Sequence, residues 1–327
     1  MANGTCGCST RCGIVLAGGA GQRLRSFVYR LRGDALPKQY VRFTGSRSLL
    51  EQTLDRVERI VPPERVFTVA TMSHLQFPDA QGQLECRPPG TVILQPENRE
   101  TAPGVLLPLV HLEARYPNAL VAVFPSDHFI DPEGLFMGYV DLAFRAVGAH
   151  PGRLVLLGVK PDRAEPEYGY IVPEPLRPGR AGSGVRRVSS FVEKPASDSV
   201  AELALRGGLW NTMVMVFRPR TVMDAVARVA PALHRAFDHV RRAFGTSQEA
   251  RVVEEVYRDI EPANFSRTVL EAIPGRRSPS LVVLPVRGVY WSDWGSEQRI
   301  ANTLTRTTER PFAVQGASNT DIRAEAV

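Results

Sequence analysis

Residues 13–27 read GIVLAGGAGQRLRSF, an apolar run that breaks into glycines and is followed by Arg23 and Arg25. The apolar run reads as a buried strand, and the glycines as a loop that lets backbone approach an anion. A dinucleotide fingerprint needs a third glycine in G-x-G-x-x-G and a helix behind it. Here Gln22, Arg23 and Leu24 follow Gly21, and no helix is evident from the pattern. A Walker loop fails as well, since no Gly-Lys-Ser/Thr closes the run. What remains is a glycine turn that aims N–H groups at phosphate beside the permanent cation of Arg23, against the plainer alternative of a tight turn with an exposed arginine.

Outward from this stretch, β-rich runs alternate with helical periods. The runs are GIVLA, RVFTVA, TVILQ, ALVAVFP, RLVLLGV and LVVLPV. This alternation predicts an α/β fold around a mostly parallel sheet, with ligands beyond the carboxyl ends of the strands. Between the first two runs, Ser48 and Glu51 form a capping-box pattern ahead of a stripe of Leu50, Leu54, Val57 and Ile60. A second helix is expected from Thr101, capped by that residue and bent at Pro108. Residues 173–187 read as a hairpin or flap loop, and residues 219–275 as a helical subdomain at the side of the sheet. Residues 1–11 and 307–327 lack apolar periodicity and read as tails around one domain spanning 12–306.

The 327 residues carry a formal charge of +6, but acidic residues lie among the basic ones, as in RVVEEVYRD. No basic block is interleaved with aromatics, so no nucleic-acid partner is expected. No apolar run reaches the ~20 residues that cross a bilayer, and the N-terminus lacks a signal-peptide pattern, so no membrane partner and a cytoplasmic location are expected. Cys6, Cys8, Cys12 and Cys86 give no disulfide framework; the first three read as reduced thiols in the tail.

Further chemistry-bearing residues follow in order. ALPKQY offers Lys38, VAVFPSDHFI places Asp127 after a strand, VSSFVEKP ends on Glu193 and Lys194, and GVYWSDWGS sets Asp293 in a turn. The ordered set L-A-G-G-x-G-x-R-L, P-K-Q, R-x-T-A-P, P-S-D-H, Y-G-Y-I, V-E-K-P, W-N and D-W-G-S resembles the sugar-phosphate nucleotidyltransferases, and among them the mannose-1-phosphate guanylyltransferase branch. The likeness runs from about Gly13 to about Arg299.

This resemblance implies a Rossmann-like (glycosyltransferase-A-like) nucleotidyltransferase fold and attack by a sugar-1-phosphate oxygen on the α-phosphorus of a nucleoside triphosphate. It implies GTP and mannose-1-phosphate as substrates, with a UTP- or dTTP-dependent glucose-1-phosphate enzyme as the alternative. A silent regulatory relative that binds a nucleotide-sugar is the reading from another class. The implied cofactor is Mg²⁺, or Mn²⁺ in its place, held by Asp127 and Asp293. Arg23, Lys38, Asp127, Lys194 and Asp293 are the implied catalytic set. Leu16, Ala17, Gly18, Gly19, Gly21, Arg23, Lys38, Pro125 and Asp127 would contact the nucleotide. QPENRETAP lies where this family reads the base: Gln95, Asn98, Arg99, Thr101 and Ala102 would also contact the nucleotide, with Glu97, Asn98, Arg99 and Thr101 the polar candidates for guanine's edge. His128, Tyr168, Gly169, Glu193, Lys194 and Asn211 would meet the sugar phosphate. A homodimer is among the assemblies expected.

Three places depart from the family pattern. Arg25-Ser26-Phe27-Val28 replaces Trp-Pro-Leu-Ser, Met213 stands where glycine is expected, and Glu100 stands where asparagine or glycine is usual. Met213 predicts a reshaped sugar pocket. The sequence ends soon after the last motif, so no C-terminal isomerase or β-helix domain is expected.

Overall fold

A computed structural model describes residues 10–175, 184–275 and 280–308. The first half runs β1 (Arg11–Leu16), α1 (Arg25–Arg32), α2 (Leu49–Glu58), β2 (Val66–Thr71), α3 (Pro78–Glu85), β3 (Val92–Gln95), α4 (Thr101–Arg115), β4 (Leu120–Pro125), β5 (Phe129–Asp131) and α5 (Glu133–Ala149). The second half runs β6 (Arg153–Val159), β7 (Tyr170–Pro173), β8 (Arg186–Val192), α6 (Val200–Leu205), β9 (Leu209–Phe217), α7 (Pro219–Val229), α8 (Pro231–Ala243), α9 (Glu249–Asp259), β10 (Ser280–Val286), β11 (Tyr290–Ser292) and α10 (Glu297–Thr308).

Nine strands form one sheet in the order β3-β2-β1-β4-β9-β6-β10-β8-β7. Strands β1 to β4, β6, β7 and β10 point one way; β8 and β9 oppose them, so the sheet is mixed and mostly parallel. β2 is buried at every position, as expected where helices cover both faces. Alternate residues of the strands feed two cores. Val15, Ala122, Phe124, Val155 and Val216 enter one, and Ile14, Val121, Val123, Leu156 and Met215 the other. Helices α2 and α5 close the first face; α4 and α7 to α9 close the second.

The capping box forms as the sequence predicts. The Glu51 N–H donates to Ser48 Oγ at 3.1 Å, and the Ser48 N–H donates to Glu51 Oε2 at 2.6 Å. Leu50, Leu54 and Val57 are buried, whereas Ile60 lies just past the helix and is half-buried. Helix α4 continues through Pro108.

Some expectations change. A helix does follow the glycine loop: a 3₁₀ turn at Gln22–Leu24 leads directly into α1. Its apolar members Leu24 and Val28 reach the core even though the short, arginine-rich period hid it. Arg11 and Cys12 belong to β1 rather than to a tail, and burial pushes the Cys12 thiol up to about 12. Cys6 and Cys8 lie outside the described residues. β7 and β8 pair as an antiparallel hairpin, with residues 176–183 of its connection also outside them. Among the described residues, no helix is long and apolar enough to cross a membrane.

Candidate active site

A cavity of about 510 Å³ opens at the carboxyl ends of β1, β3 and β4, lined there by Leu16, Gln95 and Pro125. The glycine loop forms one wall. Gln39 Nε2 donates to the carbonyls of Ala17 (2.6 Å) and Gly19 (2.9 Å), and Thr71 Oγ1 donates to that of Gly18 (2.9 Å). These bonds draw the loop carbonyls back, and among the described residues the amides of residues 18–21 have no protein acceptor. Gly21 is left-handed (φ 62°), and a Cβ there would come within 3.1 Å of the Lys38 backbone nitrogen. Only glycine packs against the Pro37–Lys38 turn in that conformation.

Lys38 is 5% exposed in its side chain and has three acceptors for its three protons. Its Nζ donates to the carbonyls of Asp293 (2.5 Å) and Trp294 (3.1 Å) and lies 3.1 Å from Asp127 Oδ2. This one cation therefore ties the end of β4 to the turn after β11. Burial disfavours the charged form of Asp127, yet Lys38 and His128 outweigh it and hold the carboxyl below its ordinary value.

The His128 ring packs edge-on against Trp291, whose Nε1–H donates to His128 Nδ1 at 3.2 Å. Because indole nitrogen only donates, the imidazole proton sits on Nε2, which lies 3.7 Å from Asp127 Oδ1. Burial pulls His128 down to about 4, so the ring is neutral near pH 7. Beneath it, the buried Arg56 donates to the His128 carbonyl at 3.3 and 3.4 Å.

Asp293 is the most heavily bonded carboxylate here. Oδ1 accepts from Tyr168 Oη and the Gly295 N–H (both 2.9 Å) and from Arg299 (3.1 Å). Oδ2 accepts from Arg23 and Arg299, both at 3.2 Å. Burial works against its charge, but Arg299, Lys38, His128 and Arg23 together bring it down to about 2. Arg299 also binds Glu165 (2.8 Å) and Glu167 (2.9 Å), and its guanidinium lies over the Tyr168 ring, 4.7 Å from the centroid. A Cβ at Gly295 would meet Asp293 Oδ2 at 2.5 Å and Arg23 at 2.8 Å, which explains the glycine of D-W-G-S.

Beside the cavity, Gly169, Glu193 and Asn211 meet. A Cβ on Gly169 would fall 2.6 Å from Glu193 Oε2 and 3.4 Å from Asn211 Cβ. The Glu193 N–H donates to Glu271 Oε1 (2.5 Å), Asn211 Nδ2 donates to Ser266 Oγ (3.4 Å), and Ser266 Oγ donates to Met213 Sδ (3.1 Å). Burial, reinforced by Glu271, raises the Glu193 carboxyl despite Lys194. Lys194 and Met213 line the cavity itself.

Four non-glycine residues among those described have positive φ: Glu100 (67°), Lys194 (51°), Met213 (57°) and Trp294 (46°). Three line the cavity, and the fourth follows Asp293. Such a conformation costs about 1–2 kcal/mol per residue, so its concentration here marks a site whose geometry is held against local preference. Glu100 and Met213, two of the departures from the family pattern, thus carry side chains at positions whose backbone suits glycine.

Of the residues proposed from sequence, Leu16, Gly18, Gly19, Gly21, Arg23, Lys38, Gln95, Asn98, Thr101, Pro125, Asp127, His128 and Lys194 line the cavity. Asp293, Tyr168, Gly169, Glu193 and Asn211 flank it through the bonds above. Ala17 and Ala102 are buried outside the lining. Arg99 turns away: its guanidinium donates to the carbonyls of Tyr257 (2.7 Å) and Arg258 (3.1 Å) at the end of α9, where the helix dipole favours a cation. Glu97 pairs with that same guanidinium at 2.7 Å. Thr101 is no cap, because its hydroxyl accepts from the Phe265 N–H at 2.8 Å. Sequence reasoning missed Gln39, Arg299, Glu165, Glu167, Ser266 and Glu271. Gln39 was within reach as the glutamine of P-K-Q; the others carry no signal that separates them from ordinary polar residues.

The fold and cavity define an α/β protein with a strand-end crevice walled by a glycine loop and lined by Arg23, Lys38 and Lys194. Residues 12–310 match the Nucleotidyl transferase family, and the chain belongs to it. Mannose-1-phosphate guanylyltransferase 2 of Escherichia coli O157:H7 is 29% identical over 297 residues, covering 88% of this chain and 58% of that protein. Alginate biosynthesis protein AlgA of Pseudomonas fluorescens is 32% identical over 227 residues, covering 68% and 44%. The chain thus spans about half the length of these curated relatives. The crystal structure of a mannose-1-phosphate geranyltransferase from Thermus thermophilus superposes with a TM-score of 0.74 at 27% identity, covering 92% of this chain and 80% of that one.

Proposed function

We propose that this chain transfers the guanylyl group of GTP to mannose-1-phosphate in a Mg²⁺-dependent reaction. A sugar-phosphate oxygen attacks the α-phosphorus, the bond from that phosphorus to the bridging oxygen of the β-phosphate breaks, and pyrophosphate leaves. The observation that carries the reading is Lys38, clamped between Asp127 and the Asp293 turn beside a glycine loop with open amides. The named relatives support the choice of substrates.

In-line attack brings one anion onto another, so positioning and charge neutralisation supply most of the catalysis. The amides of residues 18–21 face the triphosphate. Arg23, whose side chain is half exposed, swings to it from Glu167 and Asp293. Lys38, its three protons committed to the Asp293 and Trp294 carbonyls and to Asp127, holds those segments together and adds a fixed positive charge to the site. On the sugar side, Lys194 meets the phosphate, and Glu193 and Asn211 accept from and donate to hydroxyls.

Asp127 and Asp293 fit a hard divalent cation. Both carboxyls are held ionised, both belong to residues gripped by Lys38, and their number suits Mg²⁺, which takes its other ligands from phosphates and water. Among the described residues no group of three or more His, Cys, Asp and Glu could hold a metal by itself. Bound there, Mg²⁺ would supply charge neutralisation on the phosphate oxygens.

Phosphorus NMR of GTP and mannose-1-phosphate with the purified chain tests the reading. With Mg²⁺ the expected products are GDP-mannose and pyrophosphate; chelation should abolish them, and re-addition of Mg²⁺ should restore them. Failure to form a diphosphate ester with metal present would overturn the proposal.

A further inference from the structure

Tyr257 on α9 takes no part in the chemistry above, yet it touches the cavity floor through one side chain. Gln95 ends β3, is only 3% exposed, and lines the cavity. Its carboxamide has an acceptor end and a donor end of nearly the same shape, so the end facing the ligand depends on its neighbours. Tyr257 Oη lies 2.9 Å from Gln95 Oε1 and 3.3 Å from the Pro103 carbonyl. One phenolic hydrogen serves one acceptor, and the shorter contact is to Gln95. The phenol is wholly buried, which raises its pKa far above the ordinary value and keeps the hydrogen in place.

With Oε1 occupied, Gln95 Nε2 keeps both hydrogens and has no acceptor among the described residues. It lies against Gly18, where a Cβ would come within 2.4 Å; the missing side chain is the room the amide occupies. The helical segment is firmly tied to this region. Besides the Arg99 bonds to α9, the Ala102 N–H donates to the Ala263 carbonyl (2.8 Å) and the Ala263 N–H to the Arg99 carbonyl (3.1 Å).

We propose that Tyr257 is a specificity-determining positioning residue: by donating to Gln95 Oε1 it turns Nε2 into the cavity, selecting bases that present a ring keto oxygen over bases that present an exocyclic amine. Guanine O6 and the O4 of uracil or thymine are acceptors, whereas adenine N6 and cytosine N4 are donors. A donating amide pairs with the first group and opposes the second. The inference rests on the nucleotidyltransferase reading and extends it, since it assigns base choice to a residue outside the lining.

Equilibrium binding of GTP, UTP, ATP and CTP to wild type, Tyr257→Phe and Gln95→Glu tests it without requiring turnover. Wild type should favour GTP and UTP. Tyr257→Phe keeps the ring but frees the carboxamide to rotate, so the preference for GTP over ATP should fall about tenfold, the worth of one hydrogen bond. In turnover the loss should appear in KM, with kcat unchanged within about twofold. Gln95→Glu presents an acceptor to the cavity and should shift the preference toward ATP and CTP. A wild type without keto preference, a Tyr257→Phe variant that discriminates as wild type does, or a Gln95→Glu variant weakened equally for all four would each overturn the proposal. Absence of pyrophosphate release from any nucleotide would instead overturn the nucleotidyltransferase reading, with the binding comparison still deciding the role of Tyr257.

Discussion

At Met213 a backbone angle and a side chain pull in opposite directions. The residue sits at φ 57°, where glycine is at ease, while its thioether lines the cavity and accepts from Ser266. Met213→Gly removes the bulk and relieves the backbone together. We expect it to raise kcat/KM about tenfold for a sugar-1-phosphate carrying an added acyl group, in keeping with the effect of small volume changes in a pocket. Steady-state comparison of mannose-1-phosphate with an N-acetylhexosamine-1-phosphate checks this; an unchanged ratio means the methionine does not bound the sugar. At this scale the sequence was informative where type and order carried the signal. Arg23, Asp127 and Lys194 were legible because their strings follow strand-end patterns, Lys38 through the P-K-Q string of the resemblance, and all four reach the cavity. Arg99 was not: the string that contains it does not say on which side of the loop its guanidinium points, and the carbonyls that receive it lie 158 and 159 residues away.

Among the elements, α10 serves the site through one side chain. Its Arg299 is 9% exposed and joins Glu165, Glu167 and Asp293 around one guanidinium. Arg299→Met fills similar space but removes the cation shared by Glu165 and Asp293, both 13% exposed, so unfolding in urea should show a loss of about 3–5 kcal/mol. Arg299→Lys should recover only part of it, because an ammonium lacks the planar fork that serves several oxygens at once. A loss below about 1 kcal/mol for Met would mean that water compensates the carboxylates. Strands with continuous apolar runs and α2 with its capping box were readable because burial and capping leave local patterns. Helix α1 was not, because its sequence RSFVYRLR carries three arginines on a short period and buries only Val28.

For the whole molecule, the sheet turns distant segments into one site. Residues 18–21, Lys38, Asp127 and Asp293 converge because β1 and β4 end at one edge and β11 pairs with β5 just beyond it, and Lys194, which follows the opposed strand β8, also lines the cavity. The α/β class followed from the alternation of strand and helix. The insertion of antiparallel β9 between β4 and β6 did not, since pairing across long separations leaves no local trace. The central claim is that this convergence makes a guanylyl transfer site. The most direct measurement is pyrophosphate release with Mg²⁺ and mannose-1-phosphate against GTP, UTP, dTTP, CTP and ATP, for wild type and Asp127→Ala. The account predicts turnover fastest with GTP and reduced at least about a hundredfold in the variant. Release that is absent with every nucleotide, or that persists undiminished in Asp127→Ala, would contradict it.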